Sequence, residues 1–479
     1  MTTNDSAPTR ISTGIAGLDD ILQGGLPRHR LYLVQGDPGS GKTTLGLQFL
    51  LAGLAAGERV VYVSLSQSAE ELAEVARSHG WGLGGIQLIE FPTEQAATRR
   101  ATNQTIFHSA DVDLPAFVEE LQDRLNAAGP ERVVIDSFTE IRVMAQSQLR
   151  YRQTVLDLKL FLNHLSATTL VLDDRMEQLS TFQIQNLTNG VIELTHGAPD
   201  YGGLRRRLQI NKLRGSGFHE GYHDVQIVTG GLQVFPRLRL DSGDPHRVPD
   251  SSAAVLSGVA TLDGMLGGGL DPGTTTLLIG PSGVGKSSLA AQLVSAAAGV
   301  GRRGAVFLFE ENPGSFRNRA DALGMDFSRL CETGQVQLRY INVAELLPNE
   351  FAQQVKRLVL EEGVSVVVID SVTGYTNAMP RDDLLLLHLH ELMTFLSRHG
   401  VIAVMVLARH GLLETTESPV DLSYLADNIL LLRHVEQGHR LLRLLAVMKK
   451  RSGQHAATMA EVHLEGGGIR VSSLNVAPE

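Results

Sequence analysis

The sequence predicts an α/β protein of two tandem domains, each a mostly parallel, twisted sheet flanked by helices. Three observations support this prediction. The chain has 479 residues, which is long for a single hydrophobic core. Its second half repeats its first half. In both halves short apolar strands alternate with helical segments, the order typical of sheets covered by helices on both faces.

The repeat defines the expected domain boundaries. Residues 12–50 match residues 256–294 without a gap. Between the copies lies a stretch rich in Asp, Ser, Pro and Gly, a composition typical of a linker. We therefore expect an N-terminal domain over residues 1–240, a linker over 241–254 and a C-terminal domain over 255–479.

The secondary-structure elements of the first half follow in order along the chain. The strands are predicted at four short apolar runs, RLYLVQ, RVVYVSL, RVVIDS and TTLVLDD. A helix is predicted at KTTLGLQFLLAGLAAG, which ends in glycine as helices often do. The second half has the same order of strands and helices, although its residues differ.

Composition narrows the possible functions. The formal net charge is −10, whereas nonspecific nucleic-acid binding depends on Lys and Arg that neutralise phosphates. No apolar run reaches the roughly 18 residues of a membrane helix, and the N-terminus lacks the apolar core of a signal peptide. We therefore expect a cytoplasmic protein without a membrane partner and without a broad nucleic-acid-binding surface; a local basic patch in a channel stays open.

A glycine-rich loop follows the first long strand of each half. GDPGSGKT and GPSGVGKS both fit the pattern G-x-x-x-x-G-K-[ST]. Glycines let backbone N–H groups turn towards a phosphate, and the helix that follows adds the positive end of its dipole. The lysine then reaches the β- and γ-phosphates. The predicted ATP-binding residues are Gly36, Gly39, Ser40, Gly41, Lys42, Thr43 and Thr44 in the first half and Gly280, Ser282, Gly283, Val284, Gly285, Lys286, Ser287 and Ser288 in the second.

One carboxylate ends an apolar strand in each half. RVVID ends at Asp136 and VVVID ends at Asp370. In P-loop enzymes such an aspartate and the loop hydroxyl hold Mg²⁺. The predicted metal ligands are therefore Thr43 and Asp136 in the first half, and Ser287 and Asp370 in the second.

A pair of adjacent acids distinguishes the two halves. Glu310 and Glu311 follow the second strand of the C-terminal half, where the first half has Ser66 and Gln67. Phosphoryl transfer to water requires a group that orients or deprotonates the water. A glutamine orients water in some P-loop GTPases, but it cannot accept the proton. We predict that Glu310 and Glu311 are catalytic.

A Lys/Arg pair recurs late in each half. Lys212 and Arg214 are two residues apart, as are Lys449 and Arg451, and such residues share one face of a strand. Pairs of this kind are usually a solvated strand edge. Their recurrence at the same place in both halves favours a role in the site.

Together these motifs resemble the KaiC family of circadian-clock ATPases and its non-clock relatives, within the RecA-like P-loop superfamily. The resemblance covers nearly the whole chain and includes GIAGLDDILQGGLP, ARSHGWGL, NKLRGS, PRLRL, EEN, LGMDF and LLLRHVE. It implies two tandem RecA-like P-loop NTPase domains in a homohexamer of two stacked rings, with ATP between neighbouring subunits. It also implies that Lys212, Arg214, Lys449 and Arg451 act on the γ-phosphate of the adjacent subunit.

The resemblance carries two further expectations. Relatives phosphorylate themselves on adjacent Ser and Thr before the strand here written NILLLRHVE; Ser423 aligns with the serine and Tyr424 with the threonine, and Ser418 lies upstream. Ser423 is therefore the candidate phosphoacceptor. The chain stops soon after HLEGGGIRVSS, without the longer tail through which KaiA regulates clock members, so regulation by KaiA is not expected.

These patterns predict a KaiC-like protein that binds ATP and Mg²⁺, hydrolyses ATP mainly in its C-terminal domain and acts as a hexameric switch in signalling or timing, with an unidentified partner. Two alternatives remain open. A RecA-like DNA-dependent ATPase would need basic loops, and RRATNQ and LRRRLQINK are the dense basic patches. A non-hydrolysing, ATP-stabilised scaffold suits the first half but leaves the Glu pair unexplained.

Overall fold

The computed structural model describes residues 9–91, 114–175, 181–197, 203–240, 254–377, 382–408 and 422–474. The chain divides into two compact units, Met1–Arg237 and Leu238–Glu479. Leu238 is buried in a core of the second unit, and Leu240 packs against that core. The second unit thus begins before the expected linker, of which residues 241–253 lie outside the described residues.

The first unit alternates strands and helices along the chain. Its strands are β1 (Arg10–Ile11), β2 (Leu26–Pro27), β3 (Leu31–Gly36), β4 (Val60–Ser64), β5 (Gln87–Glu90), β6 (Arg132–Asp136), β7 (Thr168–Asp174), β8 (Gly190–Gly197), β9 (Arg205–Leu213), β10 (His223–Val228) and β11 (Gly231–Phe235). Its described helices are α1 (Ala16–Ile21), α2 (Lys42–Ala55), α3 (Ala69–Ser78), α4 (Leu114–Ala128), α5 (Phe138–Ala145), α6 (Gln148–His164) and α7 (Thr181–Leu187).

Nine of these strands form one sheet in the order β11-β10-β9-β8-β3-β7-β6-β4-β5. The strands from β8 to β5 pair in parallel, and β9, β10 and β11 are added antiparallel. Side chains alternate across the central strand β3: Tyr32 and Val34 enter one core, and Leu31 and Leu33 enter another. Apolar side chains therefore pack on both faces of the sheet, as the apolar runs predicted.

The second unit repeats this construction. Its strands are β12 (Thr275–Gly280), β13 (Arg303–Leu308), β14 (Val336–Tyr340), β15 (Val364–Asp370), β16 (Ile402–Ala408), β17 (Asn428–Gln437), β18 (Arg440–Lys450), β19 (Ala460–Glu465) and β20 (Gly468–Ser473). Its described helices are α8 (Ala260–Met265), α9 (Lys286–Gly299), α10 (Pro313–Ala322), α11 (Phe327–Glu332), α12 (Pro348–Leu360), α13 (Val372–Asn377) and α14 (Asp382–Arg398).

The strand order of this second sheet is β14-β13-β15-β16-β12-β17-β18-β19-β20. The first sheet, read from β5 to β11, has the corresponding strand at every position. The strands from β14 to β17 are parallel and the last three are antiparallel. The predicted pair of tandem, mostly parallel sheets is confirmed. Within the described residues, no helix combines the length and the apolar character that a membrane span requires.

Candidate functional site

The two glycine-rich loops lie at the carboxyl ends of the central strands, where parallel sheets bind ligands. β3 ends at Gly36 and α2 begins at Lys42; β12 ends at Gly280 and α9 begins at Lys286. The residue before each helix is a glycine in the left-handed conformation, Gly41 at φ 106° and Gly285 at φ 107°. Because glycine alone adopts such angles readily, the last loop glycine is required for this turn. Neither glycine can cap its helix with a side chain, so the first N–H groups of each helix remain available to a phosphate.

The loop lysines fold back over the loop in both units. Lys42 Nζ donates to Gly36 O at 2.8 Å and to Asp37 O at 3.0 Å. Lys286 Nζ donates to Gly280 O at 2.8 Å and to Pro281 O at 2.7 Å. Both ammonium groups therefore lie over the loop, close to where a bound phosphate would be.

The predicted metal-site aspartate of the first unit has two hydroxyl donors. Thr43 Oγ1 donates to Asp136 Oδ2 at 3.0 Å, and the Tyr62 hydroxyl donates to the same oxygen at 2.6 Å. Burial raises the pKa of Asp136, and these two hydrogen bonds oppose that rise. Tyr62 was not among the predicted site residues, since it lies within an apolar strand.

The corresponding aspartate of the second unit, Asp370, has no tyrosine donor at this position. Val306 stands on β13 at the position of Tyr62 on β4. Asp370 Oδ2 is buried and has no hydrogen-bond partner among the described residues. Burial raises the pKa of Asp370, as does the nearby Glu311 carboxylate, whereas a hydrogen bond from Ser287 lowers it. The two aspartates therefore have the same position but different surroundings.

These residues fit a magnesium ion that is also held by phosphates. The buried Asp370 Oδ2 atom, which no described residue contacts by a hydrogen bond, and the nearby Ser287 hydroxyl offer the hard oxygen donors that Mg²⁺ prefers. Among the described residues, no three His, Cys, Asp or Glu side chains are close enough to hold a metal ion by themselves. The protein would thus supply one or two ligands and the nucleotide would complete the coordination.

The adjacent glutamates of the second unit have different partners. Glu310 is exposed, and its Oε1 accepts a hydrogen bond of 3.0 Å from Ser371, the residue after Asp370. Glu311 forms an ion pair with Arg319 of α10, whose guanidinium lies 5.1 Å above the Phe316 ring. Glu310 is thus held next to the metal-site strand, and Glu311 is held by a cation.

The first unit differs at both positions of this arrangement. Ser66 and Gln67 replace the glutamates, and Val75 stands where α10 has Arg319. Gln67 is fixed by its main chain: Ser64 Oγ donates to its carbonyl at 2.6 Å and accepts from its N–H at 3.2 Å. The Gln67 Oε1 atom is buried without a hydrogen-bond partner in the described part of the chain. The first unit therefore has neither the two acids nor the cation that accompanies them in the second unit.

Asp174 is a further residue near the first loop that the sequence patterns did not single out. It is the last residue of β7 and is paired in register with Gly36. Its Oδ1 lies 3.0 Å from Lys42 Nζ. The run TTLVLDD contains the signal, but only the register between β3 and β7 shows that its final acid meets the loop.

The paired cations lie far from the loop of their own unit. Lys212 pairs with Val191, which pairs with Leu33, three residues before the end of β3. At about 3.3 Å per residue this corresponds to roughly 10 Å along the strand. Lys212 Nζ donates to the main chain of Gln185 and Arg214 Nη2 donates to Asn186 O at 2.8 Å. The two cations therefore contact neighbouring residues, although β9 ends at Leu213 and Arg214 lies beyond it.

The second unit places its cations in the same way. Lys449 Nζ donates to Ser423 O at 3.0 Å and to Ala426 O at 2.7 Å. Arg451 follows β18 and pairs with Asp427 at 3.0 Å. The candidate phosphoacceptor Ser423 therefore lies beside Lys449. Ser418 and the RRATNQ patch are outside the described residues.

Comparison with known proteins gives a consistent result. A model of the KaiC ATPase family matches residues 11–239 and 255–476. The circadian clock oscillator protein KaiC of Acaryochloris marina is 26% identical, over 97% of this chain and 89% of its own length. KaiC 1 of Synechocystis sp. is 27% identical over 97% and 90%, and KaiC of Synechococcus elongatus is 26% identical over 96% and 89%. Because the family model covers both repeated units, this chain belongs to the KaiC family of ATPases.

Proposed function

We propose that this protein hydrolyses ATP mainly in its C-terminal domain, and that its N-terminal domain binds ATP and supports assembly. The observation that carries the proposal is the position of Glu310 and Glu311 next to Asp370, where the first unit has Ser66 and Gln67. A glutamine orients water but cannot accept a proton. The two units thus bind the same ligand but differ in the group needed for hydrolysis.

In the proposed reaction, the backbone of the second loop and Lys286 hold the phosphates of ATP. A water attacks the γ-phosphorus, the bond to the β–γ bridging oxygen breaks, and ADP and phosphate result. Glu310 accepts the water proton, since it is exposed and bears one hydrogen bond from Ser371. Glu311 has Arg319 as its counterion, so we assign it to the charge balance around Asp370 rather than to proton transfer.

Magnesium is proposed at both loops, held by Thr43 and Asp136 in the first unit and by Ser287 and Asp370 in the second. When bound, it would neutralise charge on the β- and γ-phosphates. The Thr43–Asp136 hydrogen bond supports this assignment in the first unit. The Asp370 Oδ2 atom, which has no hydrogen-bond partner in the described part of the chain, supports it in the second.

We further propose a homohexamer of two stacked rings in which the cations act across subunit boundaries. Each Lys/Arg pair lies towards the end of the central strand that is away from its own phosphate loop, which supports a role at a loop of a neighbouring subunit. A cation brought to the γ-phosphate in this way stabilises transition-state charge. Hydrolysis would then depend on assembly.

Separate disruption of the two loops tests the division of labour. Phosphate release would be measured for wild type, Lys286→Ala and Lys42→Ala, at equal degrees of assembly verified by light scattering. We expect phosphate release by Lys286→Ala to fall to background and Lys42→Ala to retain most of the wild-type phosphate release per hexamer. The reverse order would place hydrolysis in the N-terminal domain, and no turnover in any sample would favour a non-hydrolysing scaffold.

Autophosphorylation is a second candidate activity, favoured by the contact between Lys449 and the main chain of Ser423. If Lys449 contacts the γ-phosphate bound to a neighbouring subunit, Ser423 lies close to that phosphate as well. The Ser423 hydroxyl would attack that phosphorus, its proton would pass to Glu310, and ADP would leave. Intact-mass analysis after incubation with Mg·ATP tests this, with Ser423→Ala as control. Absence of a phosphate that depends on Ser423 would refute it.

The relatives are clock oscillator proteins by name, and we propose that this chain likewise acts in the cytoplasm as a switch whose nucleotide state is read by a protein partner. DNA-stimulated ATPase activity that falls steeply with salt would contradict this and favour the DNA-dependent alternative.

A further inference from the structure

The phosphate-loop lysine of the first unit has a carboxylate partner. Lys42 Nζ lies 3.0 Å from Asp174 Oδ1, with the lysine side chain 9% exposed and the aspartate side chain 40% exposed. The parallel register between β3 and β7 places Asp174 beside Gly36, the first residue of the loop. The pair is therefore fixed by the central strands of the sheet and not by a surface loop.

The second unit provides an internal comparison, because it has no acid at this position. Ala408 ends β16 in register with Gly280, as Asp174 ends β7 in register with Gly36. Lys286 Nζ is bonded to two carbonyl oxygens. Among the described residues, no carboxylate lies within ion-pair distance of it. The two loops have nearly the same φ at the glycine before the helix, and one difference between them is the carboxylate that contacts the lysine of the first loop.

Asp173, the residue before Asp174, cannot replace it as the partner of Lys42. Asp173 is 1% exposed and is held by Arg142 and by Thr139, whose hydroxyl donates to it at 2.8 Å. Asp174, by contrast, has Lys42 as its ion-pair partner. When Lys42 turns to the β- and γ-phosphates, Asp174 loses this partner and faces additional negative charge.

We infer that Asp174 is a specificity-determining residue of the N-terminal site, which lowers the affinity for nucleoside triphosphate relative to diphosphate. It does so because its carboxylate competes with the γ-phosphate for Lys42. The inference rests on the proposed function to the extent that the first loop binds nucleotide. It adds that the two sites of one chain respond to different ratios of triphosphate to diphosphate.

Binding measurements on full-length protein test this inference without relying on hydrolysis. In the Lys286→Ala background, equilibrium binding of fluorescent ADP and of a fluorescent non-hydrolysable ATP analogue would be measured with and without Asp174→Asn. Because Asp174 is partly exposed, we expect triphosphate affinity to rise about five- to tenfold and diphosphate affinity to change less than about twofold. Glu193→Gln is the matched control, since it removes the same charge on β8 from a carboxylate paired with Arg175.

An equal change for both nucleotides, or weaker triphosphate binding in Asp174→Asn, would overturn the inference; the latter would make Asp174 a supporting ligand of the site. The reciprocal variant Ala408→Asp, in the Lys42→Ala background, should lower triphosphate affinity of the C-terminal site by a similar factor. It also keeps the idea testable if Asp174→Asn folds poorly. Nucleotide binding by the Lys286→Ala variant that is no stronger than binding by the Lys42→Ala/Lys286→Ala double variant would instead contradict nucleotide binding by the N-terminal domain.

Discussion

The Tyr62 hydroxyl gives the sharpest stability prediction, because it is a buried donor to a carboxylate. Tyr62 is fully buried and donates to Asp136 Oδ2 at 2.6 Å. Hydrogen bonds to charged groups contribute about 1.5–3 kcal/mol to stability, against about 0.5–1.5 kcal/mol for neutral ones. Tyr62→Phe removes only the hydroxyl and leaves the ring packing, so we expect the first unit to lose about 1.5–3 kcal/mol.

The chain contains its own reporter for this measurement. Its single tryptophan is Trp81, which packs in the first unit against His79 with ring centroids 4.7 Å apart. Urea unfolding of the full chain followed by tryptophan fluorescence therefore reports on the first unit. Tyr32→Phe is the matched control, since Tyr32 is equally buried and donates at 2.6 Å to a neutral acceptor, Pro27 O.

The comparison decides whether the charge of Asp136 matters. We expect the free energy of unfolding to fall more for Tyr62→Phe than for Tyr32→Phe, because the Thr43 hydroxyl still donates to Asp136 but the Tyr62 hydroxyl is gone. A loss for Tyr62→Phe that is equal to or smaller than that of the control would refute the reasoning.

Three further predictions concern pH, the ion pair and assembly. Burial lowers the pKa of His223 from 6.5 to about 4; because the folded state disfavours the protonated ring, stability is present above pH 6.5 and falls towards pH 4. Tryptophan-monitored unfolding should show a loss of about 2 kcal/mol between pH 7 and pH 5, absent in His223→Gln. Replacement of Arg319 by Met should reduce phosphate release and Arg319→Lys should partly restore it, whereas equal activity of both variants would make the pair structural. Lys42→Ala should impair ATP-dependent assembly more than it lowers turnover per hexamer, and light scattering that shows intact hexamers of this variant without ATP would contradict this.

The doubled fold could be predicted from the sequence because both copies repeat the same order of strands, loops and helices. The turn of each glycine-rich loop could be predicted because it depends on contiguous residues, with glycines such as Gly41 at positive φ and a lysine next to them. The fold and these local motifs thus need no knowledge of long-range register.

Other parts of the site depend on register and could not be read from a single stretch. Asp174 meets Lys42 only because β3 and β7 are neighbours in the sheet. Tyr62 reads as one apolar residue in a buried strand, and only the pairing of β4 with β6 brings its hydroxyl to Asp136. The start of the second unit at Leu238 was hidden for a similar reason, since that residue is buried in a core formed by residues far along the chain.

The most direct test of the central claim is phosphate release by Glu310→Gln and Glu311→Gln, with Glu70→Gln as control, since Glu70 is an exposed acid on α3 of the first unit. Loss of a general base typically costs a factor of about 10²–10⁴. The account predicts a loss of that size for Glu310→Gln, a smaller loss for Glu311→Gln and no change for the control. Unchanged turnover in both C-terminal variants would show that hydrolysis does not use the paired glutamates, and the proposed division between the two domains would be wrong.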